Sequence, residues 1–314
     1  MKEESYDVAI IGGGPAGLTA AIYLGRAKLN SIVLEKAVPG GNAAITDMIE
    51  NYPGFPDGIS GRELSERMRV QAEKFGTKFK ILHEVISVDL KGDIKKIKTS
   101  NEEINASALI IATGTEWAKL NVPGEEKLTG KGVSYCATCD GPFFKDRTIA
   151  VIGGGDSAVD EANYLTRFGK KVIIIHRRDR LRAAKIIQDR AFANPKIDFR
   201  FSTIVTEIIG DEFVKALRLR NLNTEEEEIL EVEGVFVFVG NYPSTSFLKG
   251  QIEMDEAGYI ITNERMEASV KGVFACGDVR KKMLKQVVTA CGEGATAAVA
   301  AQHYIEELKG EEYK

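Results

Sequence analysis

The strongest structural signal in this chain is the run YDVAIIGGGPAG at residues 6–17. Its apolar half, Tyr6 to Ile11, is short enough to be a buried strand, and the Ala- and Leu-rich segment Leu18 to Lys28 is typical of a helix. A second apolar run, Ser31 to Glu35, follows as another strand. In such a unit the first glycine makes a tight turn, the second lets a pyrophosphate approach and the third allows close packing. The pattern predicts a dinucleotide whose phosphates lie at the helix N-terminus.

The same pattern occurs a second time. Thr148 to Ile152 runs into GGGDSA at residues 153–158, and a helix through about Phe168 is followed by the strand Lys171 to His176. In both copies the residue that ends the second strand lies 18 positions after the last residue of the glycine motif. Two copies, each between a strand and a helix, favour two dinucleotide sites over two accidental turns. The alternative is that one of the two sites has decayed.

The two copies differ at the end of the second strand. Glu35 ends the first, and its carboxylate can accept the ribose hydroxyls of an adenosine. His176 ends the second, and four arginines follow it closely: Arg177, Arg178, Arg180 and Arg182. Guanidinium groups would pair with a 2′-phosphate that a carboxylate would repel. The sequence therefore predicts NADPH at the second site and a different adenine dinucleotide at the first, although a solvated basic turn is the alternative.

The cysteines suggest the chemistry. Cys136 and Cys139 lie in CATCD at residues 136–140, a spacing found in half-zinc sites, in redox pairs and by accident. The remaining cysteines, Cys276 and Cys291, are single, and the three histidines have no metal-ligand spacing, so no metal is expected. A redox pair is favoured. Asp140, next to Cys139, is the acid–base candidate, with helix capping as its alternative.

Composition narrows the class of protein. The chain has 314 residues, a hydrophobic share of 44% and a formal net charge of −4. It contains no apolar run of about 18 residues, its start lacks the apolar region of a signal peptide, and four cysteines are too few for a disulfide scaffold. We expect a soluble, cytoplasmic protein with neither a nucleic-acid partner nor a membrane partner.

Taken together, these motifs resemble the low-molecular-weight thioredoxin reductases, which are class II pyridine nucleotide-disulfide oxidoreductases. The resemblance covers essentially all of the chain, and the position of Cys136 to Asp140 just before the second glycine motif is its most specific part. It implies an α/β fold of two Rossmann-like, three-layer dinucleotide-binding domains. An NADPH-binding domain at 117–246, which carries the Cys-x-x-Cys pair, would be inserted into a discontinuous FAD-binding domain at 1–116 and 247–314.

The resemblance also implies site residues. Those expected to bind FAD are Gly12, Gly13, Gly14, Pro15, Ala16, Gly17, Glu35, Lys36, Gly40, Gly41, Asn42, Asn51, Val85, Ala112, Gly114, Gly277, Asp278, Lys285, Gln286 and Val287. Those expected to bind NADPH are Gly153, Gly154, Gly155, Asp156, Ser157, His176, Arg177, Arg178 and Arg182. The family more often has Gln at Asn42 and Arg at Lys285, which leaves the effect on the flavin potential open.

The implied activity is that of an NADPH-dependent thioredoxin-disulfide reductase, a homodimer in this family. Electrons would pass from NADPH through FAD to the Cys136–Cys139 disulfide, and then to a thioredoxin-like or glutaredoxin-like protein. By analogy, Cys139 faces the flavin and Cys136 attacks the substrate, while the NADPH domain rotates about hinges near 116–119 and 241–245. The alternatives are a flavin-dependent dithiol oxidase, a reductase of a peroxidase or another thioredoxin-fold partner, and a redox sensor.

Overall fold

The computed structural model describes residues 4–311 and divides the chain into two units. The first unit comprises the residues up to Glu116 and those from Tyr242 onward, and the second comprises Trp117 to Asn241. The strands, in chain order, are β1 Glu4–Ile11, β2 Ser31–Glu35, β3 Lys78–Ile81, β4 Val85–Asp89, β5 Lys95–Thr99, β6 Glu103–Ile111, β7 Thr115–Trp117, β8 Val133–Ser134, β9 Thr148–Ile152, β10 Lys171–Ile175, β11 Ile197–Arg200, β12 Thr203–Gly210, β13 Val214–Asn221, β14 Glu227–Glu231, β15 Gly234–Val237, β16 Asn241–Pro243 and β17 Val273–Ala275.

The helices are α1 Pro15–Arg26, α2 Gly41–Ala44, α3 Gly61–Lys74, α4 Glu125–Leu128, α5 Ala137–Asp140, α6 Asp156–Leu165, α7 Lys185–Ala193 and α8 Val287–Lys309. Both predicted helices after the glycine motifs are present, with different ends. The first starts at Pro15, because proline suits the first helical position, and ends at Arg26. The second ends at Leu165, three residues early, because a tight turn follows in which the Phe168 amide bonds to the Leu165 carbonyl.

The first unit is built on a seven-stranded sheet in the order β3-β2-β1-β6-β5-β4, with β17 beside β6. β1 lies parallel to β2 and β6, and Ile10 is in register with Val33 and Ile110. These strands are apolar almost throughout because both faces of the sheet are covered. One face of these three strands packs on the small residues of α1 and α8. Residues of the β4–β5 hairpin, at the edge of the same sheet, and of the segment around Leu248 pack on the other face.

The second unit repeats this plan with fewer strands. Its parallel sheet has the order β11-β10-β9-β15-β8, and a separate antiparallel sheet joins β12, β13 and β14. Alternate residues of β9 face opposite ways: Val151 packs with α6, and Ala150 packs with the antiparallel sheet. The parallel sheet is thus the middle of three layers. This confirms the expected α/β class with two Rossmann-like units.

The chain passes between the units through two short strands. β7 and β16 pair with each other in a two-stranded sheet. The Ser244 amide donates to the Gly114 carbonyl at 3.1 Å, and the Ala118 amide donates to the Gly240 carbonyl at 2.8 Å. The segments that enter and leave the second unit therefore run side by side.

Candidate functional site

In the first glycine turn, two of the three motif glycines have no room for a side chain, and the third faces open space. Gly12 has a φ of +103°, and a Cβ there would lie 2.4 Å from the Ala112 carbonyl oxygen. A Cβ on Gly17 would lie 1.9 Å from the Gly12 carbonyl oxygen, so this position too admits only glycine. A Cβ on Gly14, in contrast, would meet nothing within 4 Å. Gly12 and Gly17 therefore serve the packing of the turn, and Gly14 leaves room for a ligand at the start of α1.

Glu35 is fixed beside this turn. Its Oε2 accepts the Gly13 amide at 2.7 Å, and its Oε1 accepts the Ala37 amide at 2.9 Å. Among the described residues, no side chain caps the N-terminus of α1. An oriented carboxylate therefore stands next to an open, positively polarised helix end, which suits the ribose and the pyrophosphate of an adenine dinucleotide.

A cavity of about 550 Å³ adjoins Glu35 within the first unit. Of the predicted residues, its walls include Gly12, Glu35, Lys36 and Val85. Lys36 is bound to Glu116 at 2.6 Å, and this hydrogen bond raises the pKa of Lys36 and lowers the pKa of Glu116. Lys36 is therefore held at the rim as a cation by a partner that the sequence did not reveal.

Two further segments border the turn. The Gly40 amide donates to the Gly13 carbonyl at 2.7 Å, and Gly40 has a φ of +120°. Asn42 donates its side-chain amide to the Thr115 carbonyl at 3.0 Å. A Cβ on Gly277 would lie 2.8 Å from that of Ala16, so the Gly277–Val279 turn packs on the first turn of α1. Predicted residues from three distant parts of the sequence thus surround one helix N-terminus.

Asn51 and the start of α8 also come together. Asn51 donates its side-chain amide to Gln286 Oε1 at 2.9 Å, and Gln286 is the N-cap of α8 in a capping box with Thr289. Lys285, the preceding residue, lies with its Nζ 3.5 Å from the centre of the Tyr259 ring. Tyr259 was missed in the sequence because a cation–π contact between loops leaves no spacing pattern.

The second glycine turn repeats the geometry of the first. A Cβ on Gly153 would lie 2.4 Å from the Phe238 carbonyl oxygen, and one on Gly155 would meet nothing within 4 Å. Among residues 4–311, no side chain caps α6, which begins with the exposed Asp156 and Ser157. Asp156 accepts the Ala184 amide at 2.6 Å, and the Arg182 amide donates to the Gly154 carbonyl at 2.6 Å. The basic loop is thereby fastened to the turn.

The basic residues of that loop are not equivalent. Arg177, Arg178 and Arg182 are exposed, whereas His176 is buried with its ring against Gly154. Burial, and then the nearby Arg182, Arg178 and Arg177, lower the pKa of His176. Its Nε2 has no hydrogen-bond partner within the described chain. The arginines are therefore open to a solvent-borne anion, and a contact between His176 and a 2′-phosphate stays a prediction.

Cys136 and Cys139 are joined by a disulfide at the start of α5. The Cys139 amide donates to Cys136 Sγ at 3.2 Å, and the Cys136 amide donates to Ser134 Oγ at 3.1 Å. A sulfur that accepts an amide at a helix start is stabilised as a thiolate. Cys139 is exposed and Cys136 is partly buried. The side chain of Asp140 caps neither α5 nor the turn after it, which disfavours the capping alternative.

The other two cysteines differ from this pair. Cys276 is fully buried and Cys291 is partly buried, and burial raises the pKa of both thiols. Among residues 4–311, no three His, Cys, Asp or Glu side chains group as metal ligands. In the same part of the chain, no helix is both long and apolar enough to cross a membrane.

Comparison with known proteins agrees with this geometry. The family model for pyridine nucleotide-disulphide oxidoreductases matches residues 6–294. A thioredoxin reductase of Peptoclostridium acidaminophilum is 50% identical over 310 residues, which cover 97% of this chain and 98% of the relative. The crystal structure of Lactococcus lactis thioredoxin reductase has a TM-score of 0.94 at 46% identity, covering 96% of this chain and 99% of that one. The crystal structure of T. acidophilum thioredoxin reductase has a TM-score of 0.92 at 36% identity, covering 98% of this chain and 100% of that one.

The chain therefore belongs to the pyridine nucleotide-disulphide oxidoreductase family. Its relatives over nearly the whole length are thioredoxin reductases, so the activity is that of a thioredoxin-disulfide reductase. FAD and NADPH are the cofactors that this membership implies, and the Cys136–Cys139 disulfide is the redox-active group.

Proposed function

We propose that the first unit binds FAD, that the second unit binds NADPH and carries the catalytic disulfide, and that the substrate is the disulfide of a thioredoxin-like protein. The observation that carries this proposal is the surface disulfide in a unit that also has an open dinucleotide-binding turn. Bound FAD would supply the two-electron transfer that connects a nicotinamide to a disulfide. A homodimer, which the family resemblance implies, and a cytoplasmic location, which the composition predicts, complete the proposal.

In the first unit, the chain would hold the adenosine and the pyrophosphate. Glu35 would accept the ribose hydroxyls with an orientation set by the Gly13 and Ala37 amides. The pyrophosphate would lie where Gly14 leaves space, on the free amides of α1. Asp278, Lys285 and the Asn51–Gln286 pair would line the rest of the site.

In the second unit, Gly155 and the first turn of α6 would take the pyrophosphate of NADPH. Arg177, Arg178 and Arg182 would pair with its 2′-phosphate, since all three are exposed and charged. Replacing Arg177 and Arg178 by Ala should raise the KM for NADPH by at least about tenfold and leave that for NADH nearly unchanged. An equal rise for both nucleotides would contradict this role.

The reduced pair would act by thiol–disulfide exchange. The Cys136 thiolate would attack one sulfur of the partner disulfide, forming a mixed disulfide and releasing the other partner sulfur as a thiolate. The Cys139 thiolate would then attack Cys136 Sγ, which re-forms the Cys136–Cys139 disulfide and frees the second partner thiol. Asp140 would exchange the proton that these thiols gain and lose. The amide of Cys139 favours Cys136 as the attacking sulfur.

One purification tests the proposal. The protein should be yellow with bound flavin and should oxidise NADPH in the presence of a thioredoxin, with the partner's disulfide reduced in equal amount. Cys136→Ser should abolish this turnover, and Cys291→Ser, which alters a thiol outside the pair, should retain it. A dithiol oxidase would instead consume oxygen with dithiols as donors, and a sensor would be reduced without catalytic turnover.

The order of attack has its own test. Cys139→Ser should accumulate a mixed disulfide between Cys136 and a thioredoxin, because the resolving sulfur is missing. Cys136→Ser should accumulate none. Since Cys139 is the more exposed sulfur in this structure, the reverse result would assign the attack to Cys139.

A further inference from the structure

A partly buried cluster of charges lies at the Gly277–Val279 turn. Its members are Asp278, Arg280, Lys282 and Glu293, with formal charges that sum to zero. Of the four, only Asp278 is a predicted site residue. The sequence does mark Glu293 as unusual, because it is the only acidic residue in the small-residue run ACGEGATAA at 290–298. Such a cluster is costly to bury unless each charge is paired.

Glu293 is the centre of the cluster. From the second turn of α8, its Oε1 accepts Arg280 Nη1 at 2.8 Å, and its Oε2 accepts the Gly277 amide at 2.8 Å. Lys282 Nζ is 3.3 Å from the same Oε2. Glu293 therefore fixes the backbone of the turn as well as two cations, and it does so from the helix that packs on α1.

Lys282 connects Glu293 to Asp278. Its side chain is 6% exposed, and its Nζ lies 3.0 Å from Asp278 Oδ1. That oxygen is buried, whereas the Asp278 side chain as a whole is 32% exposed. The ion pair therefore holds the carboxylate from its buried side. The exposed side of the carboxylate can accept a hydroxyl or amide donor of a ligand.

The turn that the cluster holds lies at the proposed cofactor site. Gly277 packs on Ala16, in the first turn of α1, where Gly14 leaves open space. Asp278 thus stands beside the same helix end that would take a pyrophosphate. We propose that Lys282 and Glu293 are positioning residues, which hold the Asp278 carboxylate and the Gly277 backbone in place for the hydroxyl-bearing chain of FAD. This inference rests on the proposed function.

The decisive measurement is the dissociation constant of FAD, obtained by titrating FAD into flavin-free protein. Lys282→Met should raise this constant by about tenfold or more, because Asp278 loses its orienting cation. Lys282→Arg keeps the charge and should restore most of the affinity. Glu293→Gln should weaken binding as well, since Arg280 and Lys282 lose their common partner. Lys281→Met, at an exposed neighbouring position, should bind FAD as the unaltered chain does.

Urea denaturation of the flavin-free protein serves as the check that the variants are folded, because Lys282 and Glu293 lie in the first unit. Lys282→Met with a cooperative unfolding transition like that of the unaltered chain, weaker FAD binding and rescue by Arg supports the inference. Unchanged FAD affinity in both Lys282→Met and Glu293→Gln overturns it and leaves the proposed function intact. A lack of FAD uptake by the unaltered chain overturns the proposed function and this inference with it.

Discussion

At the scale of single residues, the glycines of the first turn have two different roles: one is required by the packing of the turn, and another leaves space for a ligand. Gly12 and Gly14 are two positions apart, yet only Gly12 has a positive φ and a carbonyl oxygen where a side chain would go. Gly14 has a φ of −74°, which any residue adopts. The same contrast holds for Gly153 and Gly155. Substitution of Gly12 should therefore lower mainly the stability of the fold, and substitution of Gly14 should lower mainly the affinity for the ligand.

We predict that Gly12→Ala lowers the free energy of unfolding by about 3 kcal/mol or more, because it combines backbone strain with a steric clash. Gly14→Ala should change the free energy of unfolding of the flavin-free protein by less than about 0.5 kcal/mol, while FAD affinity falls about tenfold or more. Urea denaturation and FAD titration measure the two quantities. If Gly14→Ala were to bind FAD normally, the pyrophosphate would lie elsewhere.

His176 gives a prediction about pH. Its pKa in the folded chain is lowered by burial and by Arg182, so the unfolded chain binds a proton more readily than the folded one. Above the pKa of the unfolded chain, about 6.5, His176 does not lower the free energy of unfolding. As the pH falls below that value, protonation of the unfolded chain lowers the free energy of unfolding. We expect a fall in the free energy of unfolding between pH 7 and pH 5 that is smaller in His176→Gln. Equal slopes in the two proteins would exclude His176 as the cause.

At the scale of elements, the start of α8 collects groups from remote segments. Gln286 caps the helix and binds Asn51, and Lys285 lies over the ring of Tyr259. The Tyr259 loop is itself held in place, because the Tyr259 amide donates to Asp255 and Thr245 donates to the Gly258 carbonyl. Lys285 therefore has a fixed partner on a fixed loop.

This arrangement predicts that the ring of Tyr259, and not its hydroxyl, positions Lys285. Tyr259→Phe should leave the midpoint potential of the bound flavin unchanged, and Tyr259→Leu should shift it, because only the second variant removes the cation–π contact. A spectroelectrochemical titration measures this potential. The same shift in Lys285→Met, with no further shift in the double variant, would show that the two residues act together. An unchanged potential in both Tyr259→Leu and Lys285→Met, relative to the unaltered chain, would contradict the prediction.

The sequence was informative where a residue type is forced by local geometry. The strands at Tyr6–Ile11 and Thr148–Ile152, and the glycines after them, were predictable because a tight turn between a buried strand and a helix leaves few choices. Partners set by tertiary packing were not predictable. The Lys36–Glu116 pair has no sequence pattern, since it joins residues 80 positions apart. Glu293 stands out in a run of small residues, but the sequence does not show which cations it binds. The burial of His176 was missed for the same reason.

At the scale of the whole molecule, the second unit begins and ends on neighbouring strands, β7 and β16. Its two cores lie on either side of its own parallel sheet. A unit with its own core and adjacent ends has what an independent domain requires. The proposed NADPH domain can therefore be examined apart from the rest of the chain.

We predict that residues 117–241, expressed alone, fold cooperatively and bind NADPH with an affinity close to that of the full chain. Circular dichroism during denaturation and fluorescence titration with NADPH provide the measurements. A matched fragment with Gly153→Ala should fail to fold, since this glycine has a φ of +147° and a carbonyl oxygen beside it. A fragment without cooperative unfolding would show that the second unit depends on the first.

The burial of Cys276 has a consequence for the lifetime of the protein. Four thiols in one reduced chain could be joined as two disulfides in three ways, and each turnover of a reductase offers an occasion for scrambling. Because Cys276 is buried and Cys291 is partly buried, oxidants in solution react mainly with Cys136 and Cys139. A sulfenic acid on either of these two condenses with the other thiol and gives back the disulfide. Oxidative damage is thereby directed to the place where it is reversible.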